Sequence, residues 1–148
     1  MEFFASGVAT VSSERGRLAI PGDIVKGWKL GEQTGDDVLT VEMVAAGHLR
    51  FFRKAMAKDR VEQDRKAAEK GAADAADLER RLRIHRDRYR DASFNKSDKN
   101  RVALSQELVL ALIGQSKREK VYVEAGSSSI DVMTNEVRFN RNQALDED

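Results

Sequence analysis

The 148-residue chain carries 26 basic and 25 acidic side chains, for a net charge of +1, so bulk charge argues for no particular partner. It contains no cysteine, which excludes disulfides, thiolate metal sites and cysteine nucleophiles and fits a reducing compartment. Nowhere is there a spanning run of about 18 apolar residues, and Met1-Glu2-Phe3-Phe4-Ala5 lacks the basic and apolar regions of a secretory leader, so a cytoplasmic protein without a membrane partner is expected.

From the N-terminus, Val8–Ser12 and Arg17–Ile20 are apolar-alternating runs flanking Ser13-Glu14-Arg15-Gly16, which predicts a β-hairpin whose glycine supplies a positive φ. Pro21 ends the second strand. Asp23 then opens a short helix that buries Ile24, Val25 and Trp28, and the apolar run Val38-Leu39-Thr40-Val41 starts a second hairpin. From about residue 55 to 92 the composition shifts to Ala, Arg, Lys, Asp and Glu with few β-branched residues, predicting helix divided at Gly71. In its second part Leu78, Leu82, His85 and Tyr89 form an apolar stripe. Arg80, Arg81, Arg83, Arg86, Arg88 and Arg90 take the remaining faces.

The first pattern then returns. Lys99-Asn100-Arg101-Val102-Ala103-Leu104-Ser105-Gln106-Glu107-Leu108-Val109 repeats Arg15 to Val25 in charge and apolar class when Arg101 is aligned on Arg17. Asn100 stands at the glycine position, and asparagine is among the side chains that best tolerate left-handed backbone. Ser105 and Glu107 replace the proline-led start of the helix with a hydroxyl cap and a first-turn carboxylate. Val121-Tyr122-Val123 answers the run beginning at Val38, with Ala125-Gly126-Ser127-Ser128-Ser129 as a hairpin turn, since it lacks the lysine and glycine spacing of a phosphate loop. The unit is strand, turn, strand, helix, hairpin, used twice. Units of roughly 50 residues are marginal alone, so the halves are expected to share one core.

These residues divide the chain into a first repeat (1–54), a basic helical insert (55–93), a second repeat (94–140) and a flexible acidic tail (141–148). Phe4, Gly7, the stretch Ser13 to Pro21 and its second copy Ser97 to Leu104 resemble MraZ, of the wider AbrB-like (SpoVT/AbrB) group. The resemblance spans nearly the whole chain. It implies an α+β fold with a mainly β core: a tandem, pseudo-twofold swapped-hairpin barrel with a helical insert between the repeats. It also implies a nucleoid-associated, sequence-specific DNA-binding transcriptional regulator, expected to act as a repressor, that assembles as a homo-oligomer, such as a ring, on short repeated boxes of double-stranded DNA. Ser13 and Ser97 stand where the family has aspartate, Asn100 where it has glycine, and Ser105 where it has the second proline. These departures leave open an architectural protein of the same fold without specific readout, or an antitoxin-type regulator.

The candidate DNA-binding residues are Arg15, Arg17, Lys99 and Arg101, on or beside the two turns, where the repeat symmetry is expected to gather them on one face. Arginine on a rigid strand can contact guanine bidentately, and neighbouring cations can hold phosphates. The alternative role for Arg17 and Arg101 is structural, pairing with Glu14 or Asp98. Arg80, Arg81, Arg83, Arg86, Arg88 and Arg90 are candidate phosphate contacts or, equally, a solvated face laced with Glu79 and Asp87. Lys54, Lys58, Arg60 and Lys66 are diluted by neighbouring acids. His48 and His85 lack a second histidine at metal-binding spacing, and His85 reads as a packed residue. With no activated nucleophile, converging carboxylates or metal cluster in the pattern, the sequence predicts neither catalysis, nor a cofactor, nor a small-molecule substrate.

Overall fold

The computed structural model describes the backbone of residues 4–146, and the side chains of these except 55–57, 86 and 141–146. In chain order the elements are β1 (Ala5–Ser12), β2 (Arg17–Ala19), α1 (Gly22–Trp28), β3 (Asp36–Ala45), β4 (His48–Arg53), α2 (Lys54–Lys70), α3 (Ala75–Arg88), β5 (Tyr89–Asn95), β6 (Arg101–Ala103), α4 (Gln106–Ile113), β7 (Arg118–Ala125), β8 (Ile130–Thr134) and α5 (Asn135–Asp146). The repeat is visible in this order. β1, β2, α1, β3, β4 and α2 are answered by β5, β6, α4, β7, β8 and α5, and α3 alone has no counterpart.

All eight strands form one antiparallel sheet in the order β1-β7-β8-β4-β3-β5-β6-β2, with β2 lying back against β1 so that the sheet is nearly closed. The halves are interleaved. The first strand of each half pairs with the other half's second hairpin: Ala5–Ser12 of β1 against Ala125–Arg118 of β7, and Asn95–Tyr89 of β5 against Asp36–Glu42 of β3. Equivalent strands meet each other twice, β4 against β8 and β2 against β6. Neither half could close its own sheet, which is the physical reason a unit of this size is used in tandem.

The core follows from the alternation of the strands and the inner faces of α1 and α4. Leu18, Val41, Phe51, Phe94, Val102, Val121, Val123 and Ile130 are fully buried with Ile24, Leu108 and Leu112, in one cluster drawn from both halves. Trp28 is buried and its indole N–H donates to the Gly126 carbonyl at 2.8 Å, tying α1 to the β7–β8 turn. Helix α4 begins at Ser105, whose hydroxyl accepts from Leu108 N, whereas α1 begins after Pro21 without a side-chain cap. Pro21 packs onto β1 at Gly7, where a Cβ would stand 2.5 Å from the proline ring.

Two boundaries differ from those the sequence predicts. The helical insert ends at Arg88, and residues 89–93, assigned to it, belong to β5; Tyr89 has φ −111° and ψ 140°. Tyr89 and Arg90 are therefore strand residues, pulled out of helix by their pairing with Glu42 and Val41 of β3. Gly71 does separate α2 from α3, and Asp74 caps α3 by accepting from Asp77 N at 2.8 Å. The segment read as a flexible tail from residue 141 has a helical backbone through Asp146; residues 147–148 lie outside the described residues. Among the described residues no helix is long and apolar enough to cross a membrane.

Candidate nucleic-acid interface

The two shortest strands of the sheet carry the candidate site. In β2 and β6, Leu18 faces Val102 with both side chains buried, so the neighbours on either side, Arg17 opposite Ala103 and Ala19 opposite Arg101, point outward. An alanine stands opposite each arginine, so no bulky side chain faces either guanidinium across the pair. Each strand is also pinned from behind by the other half's turn: Leu104 N donates to the Gly16 carbonyl at 2.6 Å and Ile20 N to the Asn100 carbonyl at 2.9 Å. Both arginines therefore rise from a rigid, two-stranded base.

The turns that flank this base are related but unequal. Four residues link β1 to β2 and five link β5 to β6. The first turn needs one left-handed residue, Gly16 at φ 56°, while the longer second turn needs two, Lys99 at φ 56° and Asn100 at φ 57°. Asn95 Oδ1 supports the longer loop by accepting from Ser97 N at 3.0 Å and from the Ser97 hydroxyl at 2.7 Å.

A surface groove of about 400 Å³ runs along this face, lined by Thr10, Ser12, Glu14, Arg15, Arg17, Ala19, Arg101 and Arg118. It brings Arg15, Arg17 and Arg101 together. Lys99 is exposed on the second turn and does not line the groove, so the expected four-residue cluster is three residues joined by a different fourth, Arg118. Arg17 Nη1 meets Asp98 Oδ2 at 3.1 Å, but both side chains are well exposed, a pair contributing at most about 1 kcal/mol. Among the described residues Arg15, Arg101 and Arg118 make no ion pair.

The basic insert is arranged differently. On α3, Arg80 and Arg81 both bind the Asp77 carboxylate, at 2.7 and 3.0 Å, and Arg83 lies 3.8 Å from Glu79. The Ala73 backbone N–H, together with those two guanidiniums, holds the Asp77 carboxyl well below the usual carboxylate range. Arg90, on β5, meets Glu107 at 2.9 Å and donates to the carbonyls of Asp87 and Tyr89. Arg88 lines a groove between α2 and α3 with Asp64, Ile84 and His85, and the Arg86 side chain lies outside the described residues. Most of the described arginines of this run are thus held by carboxylates of their own chain. His85 packs edge-on against the Tyr89 ring, 5.4 Å between centroids, and the Tyr89 hydroxyl donates to Asp64.

Sequence reasoning missed two groupings. Arg118 precedes the apolar run of the second half, but it reaches the groove only because β7 pairs with β1 of the first half, with Arg118 opposite Ser12. Asp131 accepts from Arg50 Nε at 2.7 Å and lies 2.8 Å from His48 Nε2 across the β4–β8 pair. Burial pushes the Asp131 carboxyl up, but hydrogen bonds from His48 and Arg50 outweigh it and hold the group below its ordinary value. Among the described residues no three His, Cys, Asp or Glu side chains are grouped as a metal site. No protein-family model and no characterised protein matches the chain.

Proposed function

We propose that this protein is a sequence-specific DNA-binding transcriptional regulator of the AbrB/MraZ-like swapped-hairpin type, acting as a homo-oligomer on short repeated boxes of duplex DNA. The observation that carries the reading is the groove on the β2–β6 face, where Arg15, Arg101 and Arg118 gather without carboxylate partners beside Arg17. A two-stranded ribbon is an element that the DNA major groove admits, and arginines held on a rigid ladder suit bidentate contacts to guanine. The interleaved pairing of the halves is the topology that a swapped-hairpin barrel requires, and it supports that part of the reading too.

Each protomer would offer a small contact, and several on adjacent boxes would multiply it through effective concentration. The Arg17–Asp98 pair favours a second reading for one residue: Arg17 bridges the turns and shapes the face rather than touching bases. Fluorescence anisotropy with the DNA upstream of the protein's own gene, against scrambled DNA, tests the proposal. Preferential binding that Arg101→Ala abolishes, with oligomer size unchanged, supports it; equal binding to both DNAs moves the reading to an architectural protein of the same fold.

A further inference from the structure

The two ends of the β2–β6 face are built on the same backbone but carry different charge. Ser13 N donates to the Lys117 carbonyl at 2.8 Å, and the equivalent Lys96 N donates to the Gly35 carbonyl at 2.8 Å. The strand beginning beside the first turn is therefore β7, which follows Lys117 and opens Arg118-Glu119-Lys120, and the strand beginning beside the second turn is β3, which follows Gly35 and opens Asp36-Asp37-Val38. Arg118 and Asp36 are the same structural position with opposite sign: Arg118 pairs with Ser12 and Asp36 with Asn95, each the last residue before its turn.

The arginines that cross between the turns break the symmetry in the same sense. Arg17 is drawn to Asp98 of the second turn at 3.1 Å, whereas Arg101 and Glu14, the equivalent residues, both line the groove without forming an ion pair. Asp37 points to the other side of the strand from Asp36 and accepts from Gly31 N at 2.6 Å, which fixes the start of β3 and with it the place of Asp36. A polyanion lying along this face meets unpaired Arg15, Arg101 and Arg118 beside the single carboxylate of Glu14 at one end, and the carboxylates of Asp36 and Asp98 beside Lys96 and Lys99 at the other.

We propose that the phosphodiester backbone is gripped at the first-turn end only, with Arg118 as a phosphate anchor, so that a bound protomer has one fixed polarity along the duplex despite its internal twofold. The inference rests on the DNA-binding reading above and adds an orientation to it. Two experiments test it, both on the full chain. In anisotropy salt titrations, Arg118→Ala should weaken binding several-fold and reduce the slope of log K against log salt by about 0.9, the value of one lost phosphate contact. Asp36→Ala, at the equivalent position, should leave the slope unchanged and bind at least as tightly.

Because the chain has no cysteine, Ser13→Cys and Ser97→Cys can each carry a tethered DNA-cleaving reagent. Strong cutting from position 13, confined to one side of the box, with little from position 97, is expected. If wild-type protein binds the box but Arg118→Ala keeps its affinity and slope, or both positions cut equally, the polarity proposal is wrong while DNA binding stands. If no duplex is bound at all, the underlying reading fails with it.

Discussion

Replacing Gly16 by alanine tests the turn that positions the candidate interface. Gly16 has φ 56°, where an L-side chain costs roughly 1–2 kcal/mol, and its added Cβ would stand 2.8 Å from the Leu104 carbonyl oxygen. That oxygen belongs to backbone and cannot swing aside, so the turn must move away from Leu104. Moving it stretches the 2.6 Å bond from Leu104 N to the Gly16 carbonyl, a contribution of about 1 kcal/mol. Together the effects predict a loss of about 2–3 kcal/mol. Urea denaturation reads this through Trp28, the one tryptophan, which is buried at 2% exposure. With a slope of about 2 kcal/mol/M the midpoint falls by about 1 M. Asn100→Ala, at φ 57° without glycine's requirement, should lose only about 1 kcal/mol. A Gly16→Ala midpoint equal to that of the wild type would refute the claim that the first turn is locked in left-handed geometry by the second half.

Other consequences follow from the charged groups. Asp131→Asn removes the negative charge shared by His48 and Arg50, leaving one neutral amide oxygen to accept from them, and should cost about 1.5–3 kcal/mol at neutral pH, measured by urea denaturation. Because the folded-state Asp131 carboxyl titrates below its unfolded value of about 3.9, its stabilisation is present above that pH and is lost as pH falls further; the acid limb of stability should be shallower in Asp131→Asn than in wild type. Arg60→Ala leaves the Glu42 carboxylate, 4% exposed, without its partner beneath α2, and should cost about 3 kcal/mol; adding Glu42→Met should recover most of it. In DNA titrations Arg15→Ala should lower the salt slope by about 0.9 if Arg15 holds a phosphate. Arg83→Ala should change it little, because Arg83 faces Glu79 on α3.

The repeat made the element order legible, because strands, turn and short helix recur with the same apolar spacing and the same left-handed position, Gly16 in one copy and Asn100 in the other. The register between halves was not legible, since it depends on which hairpin each first strand meets, and local sequence does not encode that. Arg118 was missed for this reason. It reaches the groove only through the long pairing of β7 with β1. Tyr89 and Arg90 were misplaced because the helical stripe Leu78, Leu82, His85 runs on in phase to Tyr89, yet pairing with β3 outweighs that local preference. Helix α5 was obscured by its polar composition. It is anchored by tertiary contacts: Val137 N donates to the Thr134 hydroxyl, and Arg138 reaches Glu124 at 3.4 Å while lying over the Tyr122 ring.

The central claim is that the arginine groove on the β2–β6 face recognises DNA. Its most direct measurement is the anisotropy salt series with wild type and Arg101→Ala against the upstream repeats and scrambled DNA. Tight, repeat-preferring binding by wild type at physiological salt, reduced in Arg101→Ala to the level seen on scrambled DNA, is the result predicted. Wild-type binding that is equal on both DNAs and collapses with salt, or an Arg101→Ala protein that keeps its preference for the repeats, would contradict it.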